Sequence, residues 1–379
     1  MSPNLMSHDT SRRQFLRGIA VVGAGTAAAS FAATSPAFAV PLTTAEAGLV
    51  HPGALHTVDH LAAVKAGVDA GSTPYASAWS RLISDPRSRT DWTAAPAAVL
   101  RVGGEDVNYH DLLDDAHAAY QNALIWRVNG DEARARTACA ILNAWSATLT
   151  SIVGAPSTHL ASGIHGFVLA NAAELVRDRD DLDAAAFGAM LKDVILPSNQ
   201  HQLTAADDGC LSRFGVVWDL AHLASMMSIA IFRDDEALLT QAVDLFDHRA
   251  GAPIVKIIPF VHDEGMGQVH SIIATGLAAV VCEMAWSQGY DLYSSQGSRL
   301  LASAAFVAGT TQDYEHFQNP DRLWGTSESG SAWAILHDHY AGRQGADVSA
   351  RLTRLADNAR AEGGAVDRMG LGRYAYFLD

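Results

Sequence analysis

The strongest constraint on this chain is the near-continuous recurrence of apolar residues at helical spacing, cut at intervals by helix stop signals. Asp114–Val128 reads as an amphipathic helix ended by Asn129-Gly130. Asp131–Leu149 follows, with Ala138, Ile141, Leu142 and Trp145 on one face. Further helices are expected over Gly163–Arg177, over Leu182–Ile195 with a stop before Pro197, and over Val217–Phe232. Glu236–Phe246 is expected to start behind a cap at Asp234-Asp235. Val269–Gln288 is a long apolar helix closed by Gly289, and Ser298–Thr310, Ser331–Tyr340 and Val348–Ala361 continue the series. β-alternation is confined to short pieces near Ile254–Val261 and Arg373–Phe377. Helix pairs joined by short loops predict an all-α chain. The architecture they point to is an α/α toroid, an incomplete α/α barrel of antiparallel helix hairpins.

The first 39 residues read differently. Ser11-Arg12-Arg13-Gln14-Phe15-Leu16-Arg17 sets two adjacent arginines before an uncharged stretch of Ala, Val and Gly, and Ala37-Phe38-Ala39 supplies an A-x-A cleavage site. The stretch is short and rich in small residues, where a membrane anchor needs roughly 20 strongly apolar ones. Residues 1–39 are therefore expected to be a twin-arginine signal peptide, removed during export to the periplasm or beyond. Residues 40–379 are expected to form one domain.

Charge narrows the partners. The formal charge is −15, and it becomes −17 once the signal's three arginines and one aspartate are set aside. Such an acidic surface argues against nucleic acid and against anionic membranes as partners after signal cleavage. A polyanionic ligand would need a local basic lining. The cysteines, Cys139, Cys210 and Cys282, lack CxxC spacing; Cys139 and Cys282 fall in apolar helical stretches and read as small buried thiols. No HExxH or similar spacing calls for a metal, and no cofactor is expected. His337 and His339, two residues apart, face different sides of a helix.

Several separated blocks, in order along nearly the whole chain after residue 39, resemble the alginate lyase family. They are His51-Pro-Gly-Ala-Leu-His-Thr57, Tyr120-Gln-Asn-Ala-Leu124 with Trp126, Asn143-Ala-Trp-Ser-Ala-Thr-Leu149, Ala161-Ser-Gly-Ile-His-Gly-Phe167, Pro259-Phe-Val-His-Asp263, Cys282-Glu-Met-Ala-Trp-Ser-Gln-Gly-Tyr-Asp-Leu-Tyr293 and Met369-Gly-Leu-Gly-Arg-Tyr374. The resemblance implies an α/α toroid that cleaves a uronic-acid polysaccharide, of alginate or glucuronan type, by β-elimination. That reaction needs donors to neutralise the uronate carboxylate, a base for the C5 proton, and an acid for the O4 leaving group.

Where relatives carry Asn and His, Gly209-Cys-Leu-Ser-Arg-Phe-Gly-Val-Val-Trp218 has neither, but holds Arg213. Where they carry Arg in a Gly-Arg-Asp-Gln-Gly-His block, this chain has Met266, followed by Gln268 and His270. The resemblance thus puts His270 in the role of proton-transfer group, with Arg213 and Gln268 as carboxylate partners. Tyr120, Asn122, His165, Trp218 and His201 are the expected sugar-binding side chains, His201 in a polar loop after Pro197. Two other readings stay open: a non-catalytic glycan-binding relative, and a glycan hydrolase on the same scaffold. The hydrolase would need two carboxylates about 5–9 Å apart. Asp207, Asp208, Asp263 and Glu264 are the loop carboxylates available to it.

Overall fold

A computed structural model describes residues 48–102, 107–154, 157–204, 215–248, 252–261, 268–310 and 331–369. The segment Arg373–Phe377 lies outside them, as does Cys210. The helices are α1 (Val58–Asp69), α2 (Tyr75–Ser84), α3 (Tyr109–Asn129), α4 (Glu132–Thr148), α5 (Ser157–Leu175), α6 (Ala184–Met190), α7 (Leu196–Thr204), α8 (Gly215–Phe232), α9 (Glu236–Asp247), α10 (Pro253–Val261), α11 (Gln268–Ser287), α12 (Ser295–Thr310), α13 (Ser331–His337) and α14 (Ala350–Ala359).

Their ends follow local chemistry. Gly130 closes α3 in the left-handed region at φ 76°, where a side chain would be strained, and its N–H caps Trp126 O. Asp131 starts α4 by accepting from Ala133 N–H, and Asp235 starts α9 by accepting from Leu238 N–H.

Helices α3, α5, α8, α11 and α13 touch one another in turn and form an inner layer; α4, α6 with α7, α9 with α10, α12 and α14 pack outside it. The inner helices run parallel. The first turn of α3 meets α5 at Tyr109 and His165, whose ring centroids are 6.5 Å apart, and the two helices end together where Arg127 Nη2 meets Asp178 Oδ1 at 2.6 Å. Gly166 of α5 lies against Ser225 of α8, where a Cβ would fall 2.1 Å from the Ser225 Oγ, so only glycine permits this approach. Arg177 Nη2 and Asp234 Oδ2, 2.7 Å apart, join the ends of α5 and α8. Ser228 Oγ lies 3.2 Å from Met284 Sδ, tying α8 to α11. Helices α8 and α11 are apolar and long enough to cross a membrane, but they are 89% and 83% buried in the protein. Their all-round apolarity is that of core helices. The architecture is an all-α toroid of helix hairpins.

Three local expectations fail. No helix stops before Pro197. Between α6 and α7 the chain passes through a π turn, Leu191–Ile195, in which Leu196 N–H bonds back five residues to Leu191 O. The wider turn admits a proline, whose ring would otherwise clash with the carbonyl four residues earlier. His201 therefore stands exposed on helix α7 and not in a loop. Ile254–Val261 is not extended but is helix α10, with Pro259 inside it; packing against α11 and α12 overrides its β-branched composition. Two short strands, β1 (Val99–Val102) and β2 (Ser151–Gly154), pair in parallel across the α3–α4 hairpin, with Val99 opposite Ser151. Four residues each are too few for their alternation to be legible.

Candidate active-site rim and the buried polar networks

Because the inner helices are parallel, their N-termini gather at one rim of the toroid. This rim carries Tyr109 and His110 on α3, Trp218 on α8, His270 on α11 and Ser331 on α13. Aligned helix N-termini concentrate partial positive charge, equivalent to roughly half an elementary charge each, which favours an anionic ligand there despite the acidic net charge. His270 is half-buried in the first turn of α11. Trp218 is 9% exposed, so its ring backs the rim and presents little face to solvent. Gln202 Nε2 donates to Asp219 Oδ1 at 3.3 Å, and His222 Nδ1 lies 2.8 Å from Asn199 Oδ1. These bonds run α7 antiparallel to α8 and bring His201 to the same end. Arg213, Asp207, Asp208, Asp263 and Glu264 lie outside the described residues, and of Gln268 only its place in α11 is described. Among the described residues no group of three or more His, Cys, Asp or Glu side chains is arranged to hold a metal ion.

The other three expected sugar-binding residues sit in the interior. Tyr120, Asn122 and His165 each have no exposed surface. Asn122 Nδ2 donates to Ala118 O at 2.9 Å and to Arg87 O at 3.2 Å, which pins the chain between α2 and β1 against α3. Tyr120 Oη lies 2.6 Å from His56 Nε2. Both polar ends are thus spent on protein partners, and the two residues hold the frame together instead of lining a cleft.

Tyr120 belongs to a network that closes the ring between its first and last helices. His56 Nδ1 lies 3.0 Å from His60 Nδ1, and Tyr120 also interacts with Asp367. Arg368 Nη1 donates to Leu55 O at 3.0 Å and to Glu283 Oε1 at 2.6 Å. Arg343 reaches both oxygens of Glu283, at 2.7 and 2.9 Å, and Tyr293 Oη donates to Oε2 at 2.8 Å. Burial opposes ionisation of Glu283, but the two guanidiniums and the phenol outweigh it and draw its pKa down to about 2. Burial, with the nearby Arg368, keeps His56 and His60 neutral, well below the usual imidazole range. His339 stacks on Tyr293 at 3.6 Å between ring centroids.

A second buried group has no such partners among the described residues. Both ring nitrogens of His117 and of His165, and both amide atoms of Gln121, are buried and make no hydrogen bond to the described residues. His117 and Gln121 are four residues apart on one face of α3. Burial, with Arg87 and the neighbouring His165, lowers the pKa of His117 to about 3; burial, with His110, lowers that of His165 to about 3. His110 is exposed on the rim and disfavours charging of the buried His165, as His165 does of His117; with Gln121 these buried side chains form a polar column along α3 and α5. Sequence reading missed His117 and Gln121. Two polar residues four apart in an apolar helix were the available signal.

At the opposite rim the helix C-termini are locked by ions. His51 lies between Glu174 Oε1 at 2.7 Å and Asp234 Oδ1 at 2.6 Å, with Arg177 against the same ring. Burial lowers the imidazole pKa, but the carboxylates more than offset it and raise it above its ordinary value.

Comparison with solved structures decides the fold. Alginate lyase A1-III from Sphingomonas species A1 superposes with a TM-score of 0.58 over 81% of this chain and 92% of its own, at 14% identity. The chain has the alginate lyase fold. Two variants of that enzyme, each complexed with a tetrasaccharide, match as well: a Tyr-to-Phe variant at TM-score 0.57, covering 80% of this chain and 90% of its own, and a His-to-Ala variant at 0.56, covering 85% and 97%, both at 14% identity. No family model matches the chain, and no curated protein matches it in sequence. With the alginate lyase fold in place, Cys139 and Cys282 are free buried thiols in its frame.

Proposed function

We propose that this protein is a polysaccharide lyase that cleaves a uronic-acid-containing glycan of the alginate or glucuronan type by β-elimination. The observation that carries this reading is the likeness of the fold to alginate lyase A1-III, over 92% of that enzyme's length. The tetrasaccharide complexes of that enzyme's variants support an oligosaccharide as ligand. The rim of helix N-termini supplies the positive potential a uronate needs. His270 takes the C5 proton there and, once protonated, hands it to the departing O4, while Arg213 and Gln268, in the role the resemblance implies, neutralise the carboxylate so that the carbanion-like transition state is stabilised. Trp218 and His201 stand on the same rim as the expected sugar-binding side chains. The chain reaches this work by export, with residues 1–39 acting as a twin-arginine signal and the enzyme delivered to the periplasm or secreted.

Elimination leaves an unsaturated uronide, so ultraviolet absorbance is expected to rise when the purified protein meets a panel of polyuronates. His270→Ala is expected to abolish that rise, a loss of at least about 100-fold as for a removed acid–base group, while circular dichroism stays native. A wild-type rate in this variant removes His270 from the mechanism. A specific sequence feature favours a second reading: the segment Gly209–Trp218 has neither Asn nor His, and Met266 stands where the resemblance implies an arginine. A flat absorbance trace on every polymer, with saturable binding to one, establishes that non-catalytic form.

A further inference from the structure

We propose that the end of the toroid opposite the His270 rim carries a second binding site, one that takes an acidic sugar residue. A cleft of about 490 Å³ opens there, between the chain leaving α5, the helix α6 with its π turn, and the chain leaving α8. Its size falls among small-molecule sites, about 300–1,000 Å³. Its floor is made of small side chains on α6. Gly188 leaves the Arg233 and Phe232 side chains at ordinary contact distance from a would-be Cβ, and the exposed Ala184 and Ala189 extend the same shallow surface.

The walls carry the groups that recognise a uronate. Lys192 projects from the π turn, exposed, with no ion pair or hydrogen bond to the described residues. Arg233 uses Nη1 on Gly188 O at 2.7 Å, which holds the guanidinium at the cleft with Nη2 and Nε left over. These two cations suit a carboxylate. Asp193 and Asp234 stand in the same wall as hydroxyl acceptors. Asp234 is held in place by Arg177 Nη2 at 2.7 Å and by His51 at 2.6 Å, so it meets a ligand pre-oriented. Cations for the carboxylate, carboxylates for the hydroxyls and an apolar floor for the ring together match one acidic pyranose. A neutral sugar lacks the first match, and a bare anion lacks the other two.

The choice of a uronate over another acidic sugar rests on the lyase reading. On that reading the site has a use. Inner helix α8 is 18 residues long, about 27 Å at 1.5 Å per residue, so a long polymer can engage both ends of one toroid. A weak second contact then raises avidity without slowing release at the reacting end.

The test uses the full chain after residue 39 as His270→Ala, to prevent turnover, and follows backbone amide resonances while trimannuronate is added. Saturable shifts are expected at Ala184 to Asp193 and at Arg233, at millimolar ligand. Lys192→Glu and, separately, Ala189→Trp are expected to weaken that event at least tenfold while leaving shifts around His270 and Trp218 in place. Absence of saturable shifts in the cleft, or shifts indifferent to both substitutions, overturns the proposal. So do equal shifts with a neutral maltotriose, or equal shifts with inorganic phosphate alone. The wild-type absorbance assay is independent of these outcomes, so failure of the cleft and failure of the lyase reading are told apart.

Discussion

Two groups of buried polar side chains lie within the same toroid and meet opposite fates. Around Glu283 the carboxylate is bonded by two guanidiniums and a phenol, and Tyr120 is bonded on the same closure. Around His117, Gln121 and His165 six polar atoms are equally buried and have no hydrogen-bond partner among the described residues. A satisfied network fixes one arrangement of helices. An unsatisfied one costs about 1–3 kcal/mol per group unless solvent or a ligand fills it. The first is therefore read as the clasp of the ring, and the second as a polar interior whose pairing the fold leaves open.

The contrast is broken most directly at its strongest point. Glu283→Ala leaves Arg368 and Arg343 facing each other without their shared anion. A loss of about 3–5 kcal/mol in unfolding free energy is expected, as for one partner removed from a buried ion pair, and denaturant titration measures it. A loss below about 1 kcal/mol would mean that the clasp does not hold the ring.

Acid comes next. An unfolded histidine takes its proton near pH 6.5, whereas His117 and His165 stay neutral in the fold down to about pH 3. Their contribution is complete above the unfolded value and is lost as pH falls between these limits, by on the order of 1 kcal/mol per pH unit for each ring. Stability measured from pH 7 to pH 4.5 is expected to decline with at least the summed slope of these two rings, since His56 and His60 are held neutral as well, and the slope is expected to shrink in His117→Leu. His51 works the other way: its raised pKa adds stability that is complete below the unfolded value and fades as pH rises through the folded one.

Tyr120→Phe removes one hydroxyl from the clasp and leaves His56 Nε2 without its bond, for an expected loss of about 1–3 kcal/mol by thermal or denaturant unfolding. The smallest effect belongs to His165→Leu. An orphaned ring exchanged for an apolar side chain is expected to change stability by less than about 1 kcal/mol in either direction. A cost as large as that of Glu283→Ala would show that the column is filled by something specific, and would draw the two regions together.

Much of the frame was legible residue by residue. The stop at Asn129-Gly130, the caps Asp131 and Asp235, and the apolar runs of α8 and α11 all act within a turn or two of helix, so a reader of the chain can find them. Pro197 misled because the relief it needs, a π turn, depends on how α6 and α7 pack and has no signature of its own. Ile254–Val261 misled because a β-branched run is helical or extended according to its neighbours. Of the expected site, His270, Trp218 and His201 share one rim, whereas Tyr120, Asn122 and His165 were taken inside.

From the order of its residues alone, the chain determined that it would be helical, where most helices begin and end, and that its surface would be acidic, because propensity, capping and charge are properties of near neighbours. Only the tertiary structure decided which polar groups would be paired. Arg368 finds Leu55 O across 313 residues and Glu283 across 85, while the buried rings of His117 and His165 find no hydrogen-bond partner among the described residues. Partnership of this kind depends on how helices distant in sequence are brought together, and no local pattern carries it.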